Sequence, residues 1–282
     1  LIAAAFAVSA VGAAETGTGY AADITDGADF IHSAPMETSV YKAGEGTVTY
    51  IPASAGGDAQ IVLENAELHS EKKINYWSLN WTYAALAATG DVRLVLKGDS
   101  RIYLRDGQSS NHALLFYNSN VVISGNGTLS VGHESGAANN INVIPFEVRS
   151  DNDASGDEEA YAARGNFVME SGTVAMDAGG AFGEGCLTVI NSVKILGGNF
   201  LVRGQSRSIY SVNGDIEISG GKVRAEEFRS YGLYASKGNV TLGGDAEVYI
   251  SSYKNASTTG IVGRANGAKG GNVYINGGRA EI

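Results

Sequence analysis

The sequence predicts an all-β protein folded as a right-handed parallel β-helix, with roughly eight to nine coils of about 23 to 24 residues in their shortest form. Three observations predict it: a repeated phrase, a regular spacing between its copies, and a lack of helical periodicity. The phrase consists of Gly-Asn or Gly-Asp, an alternating strand, a Gly-Gly pair and a second alternating strand, as in GNVTLGGDAEVYIS at 238–251. Such a coil buries its apolar side only when coils stack about 4.8 Å apart.

The spacing of the phrase defines the repeating unit. The separations between equivalent apolar residues are 31, 29, 46, 26, 23, 24 and 33. The shortest are 23 and 24, and 46 is twice 23, so the unit holds about two dozen residues and some copies carry added loops. A β-propeller blade needs about 40 residues, which the short intervals exclude. The equivalent residues are Ile61, Val92, Val121, Phe167, Val193, Ile216, Val240 and Val273.

The second strand of each phrase alternates with period 2, which assigns its side chains to two faces. The expected inward residues are Ile102, Leu104, Leu129, Val131, Val174, Met176, Phe200, Val202, Val223, Ala225, Ala246, Val248 and Ile250. The expected outward residues are Arg101, Tyr103, Arg224, Glu226, Glu247 and Tyr249. A third short strand is predicted at 113–119, 208–212 and 232–236. The Gly-Gly pairs are expected to form corners, because tight bends need the positive φ that glycine adopts freely.

Three segments are predicted along the chain. Residues 1–14 are uncharged, rich in small residues and too short to cross a bilayer, which is typical of the remnant of a secretory signal peptide; the alternative is an ordinary core segment. Residues 15–56 are expected to form a linker or cap, and residues 57–282 the β-helix, which is expected to continue beyond Ile282. Export without a possible internal disulfide favours a secreted or cell-surface bacterial protein.

Composition narrows the function classes. The formal charge of −10 and a pI near 4.9 argue against binding to nucleic acid or to an anionic membrane. The 39 glycines follow no Gly-X-Y period, which excludes collagen. The single cysteine, Cys186, lies in an apolar run and is expected to be a buried small hydrophobe.

The first interruption of the repeat is aromatic and covers residues 72–86. Trp77, Trp81 and Tyr83 alternate, so on one strand they would share a face, and Tyr76 lies beside them. Flat rings on a rigid sheet stack on sugar rings, and their polar edges add hydrogen bonds. These four residues are the candidate carbohydrate-binding site; the alternative is that they cap or pack the N-terminal end of the fold.

The second interruption is acidic and covers residues 149–165. Asp151, Asp153, Asp157 and Glu159 resemble the first part of a calcium loop, in which oxygen ligands alternate around a glycine bend. The pattern departs from that loop at its twelfth position, which is Ala162 rather than a bidentate Glu. These four residues are the candidate metal ligands, with calcium as the expected ion; the alternative is a solvated acidic loop without a cofactor.

The third interruption is the interval 132–164, which either hides one coil around 143–148 or is an insertion on one coil. Pro145 weakens the strand prediction there. No catalytic residue is predicted: the four histidines show no metal-ligand spacing and no nucleophile motif occurs. Glu226 and Glu227 are adjacent, and adjacent residues on a regular strand point to opposite faces, so they form a poor acid–base couple.

The repeat stretches resemble a known family. GDAQIVLENAELHS (57–70), AALAATGDVRLVLKGDSRIYLRDG (84–107), LLFYNSNVVISGNGTLSVG (114–132) and GLYASKGNVTLGGDAEVYI (232–250) are similar to carbohydrate-binding β-helix domains of anaerobic bacterial surface proteins. The resemblance covers roughly 57–282 and implies a non-catalytic protein that binds plant polysaccharides such as cellulose or acidic pectic chains, with calcium in some members. It transfers no individual site residue.

The sequence therefore favours an exported, non-catalytic protein that binds plant cell-wall or host polysaccharide at the bacterial surface. A polysaccharide lyase or hydrolase is the first alternative, because the same fold houses pectin-degrading enzymes and Arg203 and Arg224 fall near equivalent positions of neighbouring coils. An adhesin or spacer stalk without a glycan site is the second alternative.

Overall fold

A computed structural model describes residues 20–54, 57–76, 79–104, 111–133, 144–150, 164–177, 185–204, 206–253, 257–264 and 271–282. Within these ranges the protein is all-β, as predicted, and contains no helix. It follows that no helix of the described chain is long and apolar enough to cross a membrane.

The strands are short and evenly distributed along the chain. In chain order they are β1 (Ala28–Asp29), β2 (Ser39–Ala43), β3 (Gly46–Ile51), β4 (Ala59–Glu64), β5 (Glu67–His69), β6 (Lys72–Tyr76), β7 (Leu79–Thr89), β8 (Val92–Lys97), β9 (Asp99–Leu104), β10 (Asn111–Tyr117), β11 (Val121–Gly125), β12 (Thr128–His133), β13 (Phe146–Arg149), β14 (Phe167–Met169), β15 (Thr173–Asp177), β16 (Leu187–Val189), β17 (Val193–Ile195), β18 (Asn199–Arg203), β19 (Arg207–Ser211), β20 (Ile216–Ile218), β21 (Lys222–Phe228), β22 (Tyr231–Ala235), β23 (Val240–Leu242), β24 (Glu247–Ser252), β25 (Thr259–Gly263), β26 (Val273–Ile275) and β27 (Arg279–Glu281).

The strands form three mostly parallel sheets, which the chain visits in a fixed order. Sheet A runs β2-β3-β4-β8-β11-β14-β17-β20-β23-β26, sheet B runs β1-β7-β10-β13-β16-β19-β22-β25, and sheet C runs β5-β9-β12-β15-β18-β21-β24-β27. From β8 onward, each pass adds one strand to sheet A, then one to sheet C, then one to sheet B. Antiparallel pairs occur where β2, β3 and β4 meet and where β6 pairs with β7.

Most of the predicted register is confirmed. Val92, Val121, Phe167, Val193, Ile216, Val240 and Val273 are consecutive register partners in sheet A. The first equivalence is wrong by two residues, because Ile61 pairs with Leu94 and Ala59 pairs with Val92.

The interval of 46 residues between Val121 and Phe167 is a single pass with insertions, since these two residues are direct partners. β13 supplies the sheet B strand of that pass. Pro145 lies just before β13, and its carbonyl accepts hydrogen bonds from the amides of Ala113 and Leu114. The position is compatible with proline because the ring removes a donor and leaves the acceptor.

The inward side chains form one continuous core. All the residues predicted to point inward on sheet C are buried. Phe116, Phe146, Phe167 and Phe200 stack through the interior with successive ring-centroid distances of 5.5, 5.4 and 5.9 Å. Cys186 is buried as predicted, and burial raises the pKa of its thiol. Because equivalent residues lie above one another, each side chain contacts its counterparts in the neighbouring passes.

The polar residue of the phrase builds a second ladder, at the corner before each sheet A strand. The side-chain oxygen of Asp91 accepts the Asn120 amide at 3.2 Å, and Asn120 accepts the Asn166 amide at 3.2 Å. Asn166 in turn accepts the Ser192 amide at 3.2 Å. The same arrangement links Asp215, Asn239 and Asn272. These bonds satisfy corner amides that strand pairing leaves free.

Replacement of Asn166 by alanine is expected to lower the free energy of unfolding by about 1–3 kcal/mol, because it removes the acceptor for Ser192 and the donor to Asn120. Chemical denaturation measures the change. Asn199→Ala is the control, since this exposed side chain makes one bond, to Thr173, and its loss is expected to cost less than about 0.5 kcal/mol. Equal losses in the two variants would contradict a special role for the ladder.

The N-terminal segment covers the first edge of each sheet. Ala21 and Ile24 donate to carbonyls of β2 in sheet A, and the Thr25 carbonyl accepts from His69 of β5 in sheet C. β1 then pairs with β7 in sheet B. Unpaired sheet edges promote association between chains, so this segment protects the molecule at that end.

Candidate functional site

The outer face of sheet B carries a row of polar, charged and aromatic residues in register. Glu147, Thr188, Tyr210 and Tyr234 are successive register partners on β13, β16, β19 and β22. Parallel in-register strands place such residues in a row, with about 4.8 Å between neighbours. The row divides into an ionic half on the N-terminal side and an aromatic half on the C-terminal side.

The aromatic half, here named the tyrosine row, consists of Tyr210, Tyr231 and Tyr234 with Arg207 and Arg264. The rings of Tyr210 and Tyr234 lie 5.3 Å apart at 18°, and those of Tyr231 and Tyr234 lie 4.5 Å apart at 13°. The Arg207 guanidinium lies 4.4 Å from the Tyr210 ring centre and 5.3 Å from that of Tyr234. Arg264 lies 5.7 Å from the Tyr234 ring centre. Stacking of rings and guanidinium groups fixes the row as one rigid surface.

The exposure of the row indicates which parts reach solvent. Tyr234 is buried, with 5% of its surface exposed, whereas Tyr210, Tyr231 and Arg207 are half-buried and Arg264 is exposed. Arg264 makes no ion pair with any carboxylate of the described chain. The row therefore offers ring edges, phenol hydroxyls and guanidinium donors, with little rotamer entropy left to lose on binding.

The ionic half, here named the acid network, links Thr82, His112, Glu147 and Arg149 across β7, β10 and β13. The Thr82 Oγ1 lies 2.9 Å from His112 Nδ1, and His112 Nε2 lies 2.7 Å from Glu147 Oε2. Arg149 Nε lies 3.5 Å from Glu147 Oε1. Thr82, His112 and Glu147 are 1%, 4% and 6% exposed. Burial alone raises the pKa of Glu147, but the His112 hydrogen bond and the charges of His112 and Arg149 bring that pKa below its ordinary value.

Thr188 separates the two halves. Its hydroxyl is buried and has no hydrogen-bond partner among the residues described. Gly185 lies directly beside it, since a Cβ added there would be 3.1 Å from the Thr188 hydroxyl and 3.3 Å from the Tyr210 Cβ. The junction is therefore closely packed, and the tyrosine row packs against β16.

Three of the four aromatic residues predicted from the sequence lie on strands of the same sheet. Trp81 and Tyr83 lie on β7, Tyr76 ends β6, and Tyr83 is half-buried. Tyr76 pairs with Leu79 in the antiparallel ladder between β6 and β7. Trp77 and the side chains of Tyr76 and Trp81 lie outside the described residues.

The predicted calcium ligands Asp151, Asp153, Asp157 and Glu159 also lie outside the described residues. Within the described ranges, no three His, Cys, Asp or Glu side chains are grouped so that they could hold a metal ion. The calcium site remains a prediction from the sequence.

A charged cluster on the outer face of sheet C corrects one sequence prediction. β21 contains a bulge between Glu226 and Phe228, with Glu227 at φ 55°. Glu226 and Glu227 are therefore both on the outer side, whereas Phe228 is buried. The expectation that the two carboxylates point to opposite faces is wrong, because a bulge inserts one extra residue and shifts the alternation.

Glu226 is paired with two guanidinium groups. Glu226 lies 3.2 Å from Arg203 and 3.5 Å from Arg224. Asp177 is the register partner of Arg203 on the adjacent strand. A cavity of about 350 Å³ adjoins the cluster and is lined by Arg224, Glu226, Tyr249, Ile250, Ser251, Glu281 and Ile282.

Comparisons with known proteins add no identification. No protein-family model matches the chain, and neither the curated proteins nor the solved structures contain a significant match.

Proposed function

We propose that the chain is a right-handed parallel β-helix, exported to the bacterial surface, that binds a polysaccharide on the outer face of sheet B without cleaving it. The observation that carries this proposal is the tyrosine row, in which three nearly parallel rings are held by two arginines on one rigid sheet face. Tyrosine supplies a large contact area with both apolar and hydrogen-bonding character, as a sugar ring requires.

The length of the sheet supports a polymer rather than a small ligand. The acid network and the tyrosine row lie along one run of parallel strands, from β7 to β22. Five strand spacings separate β7 from β22, which is about 24 Å at 4.8 Å each.

Replacement of Tyr210 or Tyr231 by alanine is expected to weaken polysaccharide binding by about tenfold or more, the effect of removing a central aromatic anchor. Affinity-gel retardation against plant and host polysaccharides, followed by calorimetry, measures it. Tyr249→Ala is the matched control, because Tyr249 is also a half-buried tyrosine stacked with an arginine, but on sheet C. A paired Trp77→Ala and Trp81→Ala variant tests the contribution predicted from the sequence.

The result that overturns the proposal is equally direct. If none of these polysaccharides retards the wild-type protein, polysaccharide binding is not its function. The alternative of an adhesin or spacer stalk without a glycan site is then favoured. If Tyr249→Ala weakens binding and Tyr210→Ala does not, the ligand lies on sheet C.

A polysaccharide-cleaving enzyme is the second candidate, favoured by the bulge that adds Glu227 to the outer face, next to Glu226 and its partners Arg203 and Arg224. Paired carboxylates beside a cavity are the usual arrangement for acid–base cleavage of a glycosidic bond. Measurement of new reducing or unsaturated ends in the same incubations separates the two functions. Release of such ends, lost in Glu226→Gln, would establish cleavage.

A further inference from the structure

The acid network adjoins the tyrosine row but has a different chemistry. Its four side chains form a continuous chain of contacts over three neighbouring strands, from the Thr82 hydroxyl to the Arg149 guanidinium. A hydroxyl, an imidazole and a carboxylate in this order resemble a nucleophilic triad. The Thr82 residue is only 1% exposed, however, so no substrate reaches its hydroxyl, and the network holds strands rather than attacking a bond.

The network tolerates a change of charge on His112. A neutral ring with its proton on Nε2 donates to Glu147 and accepts from the Thr82 hydroxyl. A charged ring donates to both partners. Either form satisfies both ring nitrogens, so the contacts of His112 do not depend on its charge.

Loss of the charge on Glu147 is not compensated by another carboxylate on the neighbouring strands. The ionisable groups on the elements around it are Lys72 and Lys73 on β6, Tyr83 on β7, His112 and Tyr117 on β10, Arg149 on β13, Arg207 and Tyr210 on β19 and, on β1, Asp29, which pairs with His32. Asp29 is three strands away in the same register, about 14 Å at 4.8 Å per strand. No nearer carboxylate of these elements replaces Glu147, so its protonation removes the ion pair with the half-buried Arg149 and weakens the buried contact with His112.

We infer that Glu147 is an acid-operated switch, whose protonation frees Arg149 and loosens β13, so that the outer face of sheet B loses its ligand in acid. The inference concerns the regulation of the proposed polysaccharide site and therefore rests on that function for its biological meaning. The structural event is independent of the ligand.

The direction of the switch follows from the pKa of Glu147, which folding lowers from its ordinary value of 4.5. The stabilisation from a carboxylate with a lowered pKa is complete above the unfolded value and is lost as the pH falls through the folded value. Glu147 is therefore protonated and β13 loosened only below about pH 4.5, and the network is intact at neutral pH.

Two measurements on the same three proteins test the inference. Protection of the β13 amides against hydrogen exchange reports the structural event, and polysaccharide affinity reports its consequence, both between pH 7 and 3. In the wild type, both are expected to fall, by up to about tenfold per pH unit below the transition. In Glu147→Gln, amide protection and affinity should both be lower than in the wild type at neutral pH and should not change over this pH range. Glu170→Gln, which removes the exposed partner of Arg93, should show the same pH dependence as the wild type.

A further variant covers the possibility that Glu147→Gln does not fold. His112→Gln keeps a hydrogen-bond donor beside Glu147 but removes the positive charge, so the acid transition should move to higher pH. An acid loss that is the same in Glu147→Gln as in the wild type, or a transition unmoved in His112→Gln, overturns the inference. If the wild type binds no polysaccharide, the proposed function fails, and the exchange measurement still decides whether the switch exists.

Discussion

Replacement of Phe167 by alanine is expected to lower the free energy of unfolding by about 3–5 kcal/mol, the usual cost of emptying a buried aromatic site. Phe167 is fully buried in the middle of the interior stack, with Phe146 at 5.4 Å on one side and Phe200 at 5.9 Å on the other. Its loss removes contacts with both neighbouring passes. Denaturant unfolding followed by circular dichroism measures the change.

The adjacent residue provides the control for that substitution. Val168 lies on the same strand but points outward and is half-exposed, so Val168→Ala is expected to cost less than about 1 kcal/mol. A stack in which every pass contacts only its neighbours is also expected to divide at the weakened pass, giving two unfolding steps in Phe167→Ala. A cost below about 1 kcal/mol for Phe167→Ala would mean that the phenylalanine stack does not join the passes.

Alternation in the sequence predicted which side chains are buried, but it could not fix every register. Ile61 was matched to Val92, whereas the structure pairs it with Leu94. A shift of two residues keeps every side chain on its own face, so a pattern of period 2 does not detect it. The polar residue at the corner reveals the shift, because Asp58 precedes Ala59 as Asp91 precedes Val92. The side chain of Asp91 begins the ladder to Asn120.

The candidate site was missed for a related reason. Interruptions of the repeat point to function in the segments 72–86 and 149–165, whereas Tyr210 and Tyr234 belong to regular strands and are separated by one unit of 24 residues. Their signal was a tyrosine at the same offset in consecutive copies. The contacts with Arg207 could not be predicted, because they depend on the path of a long side chain across neighbouring strands. The bulge at Glu227 did leave a trace, since Phe228 breaks the alternation set by Val223 and Ala225.

The two glycines of a single Gly-Gly corner are expected to differ sharply in their tolerance of a side chain. Gly244 has φ +60°, and an added Cβ would lie 2.0 Å from the carbonyl oxygen of Ser219, whereas a Cβ on Gly243 would meet no atom within 4 Å. Gly244→Ala should therefore cost about 2–4 kcal/mol of unfolding free energy, from left-handed strain and from displacement of the neighbouring backbone. Gly243→Ala should stay within about 0.5 kcal/mol.

A third glycine separates the two causes. Gly90 also has a positive φ, +82°, but an added Cβ there would meet nothing within 4 Å, so Gly90→Ala reports strain alone, about 1–2 kcal/mol. The excess cost of Gly244→Ala over Gly90→Ala then measures the close approach of one pass to the preceding one, because Ser219 lies one unit earlier in the chain. Equal costs would mean that the passes are not stacked at backbone contact, and the β-helix proposed for this chain would lose its central support.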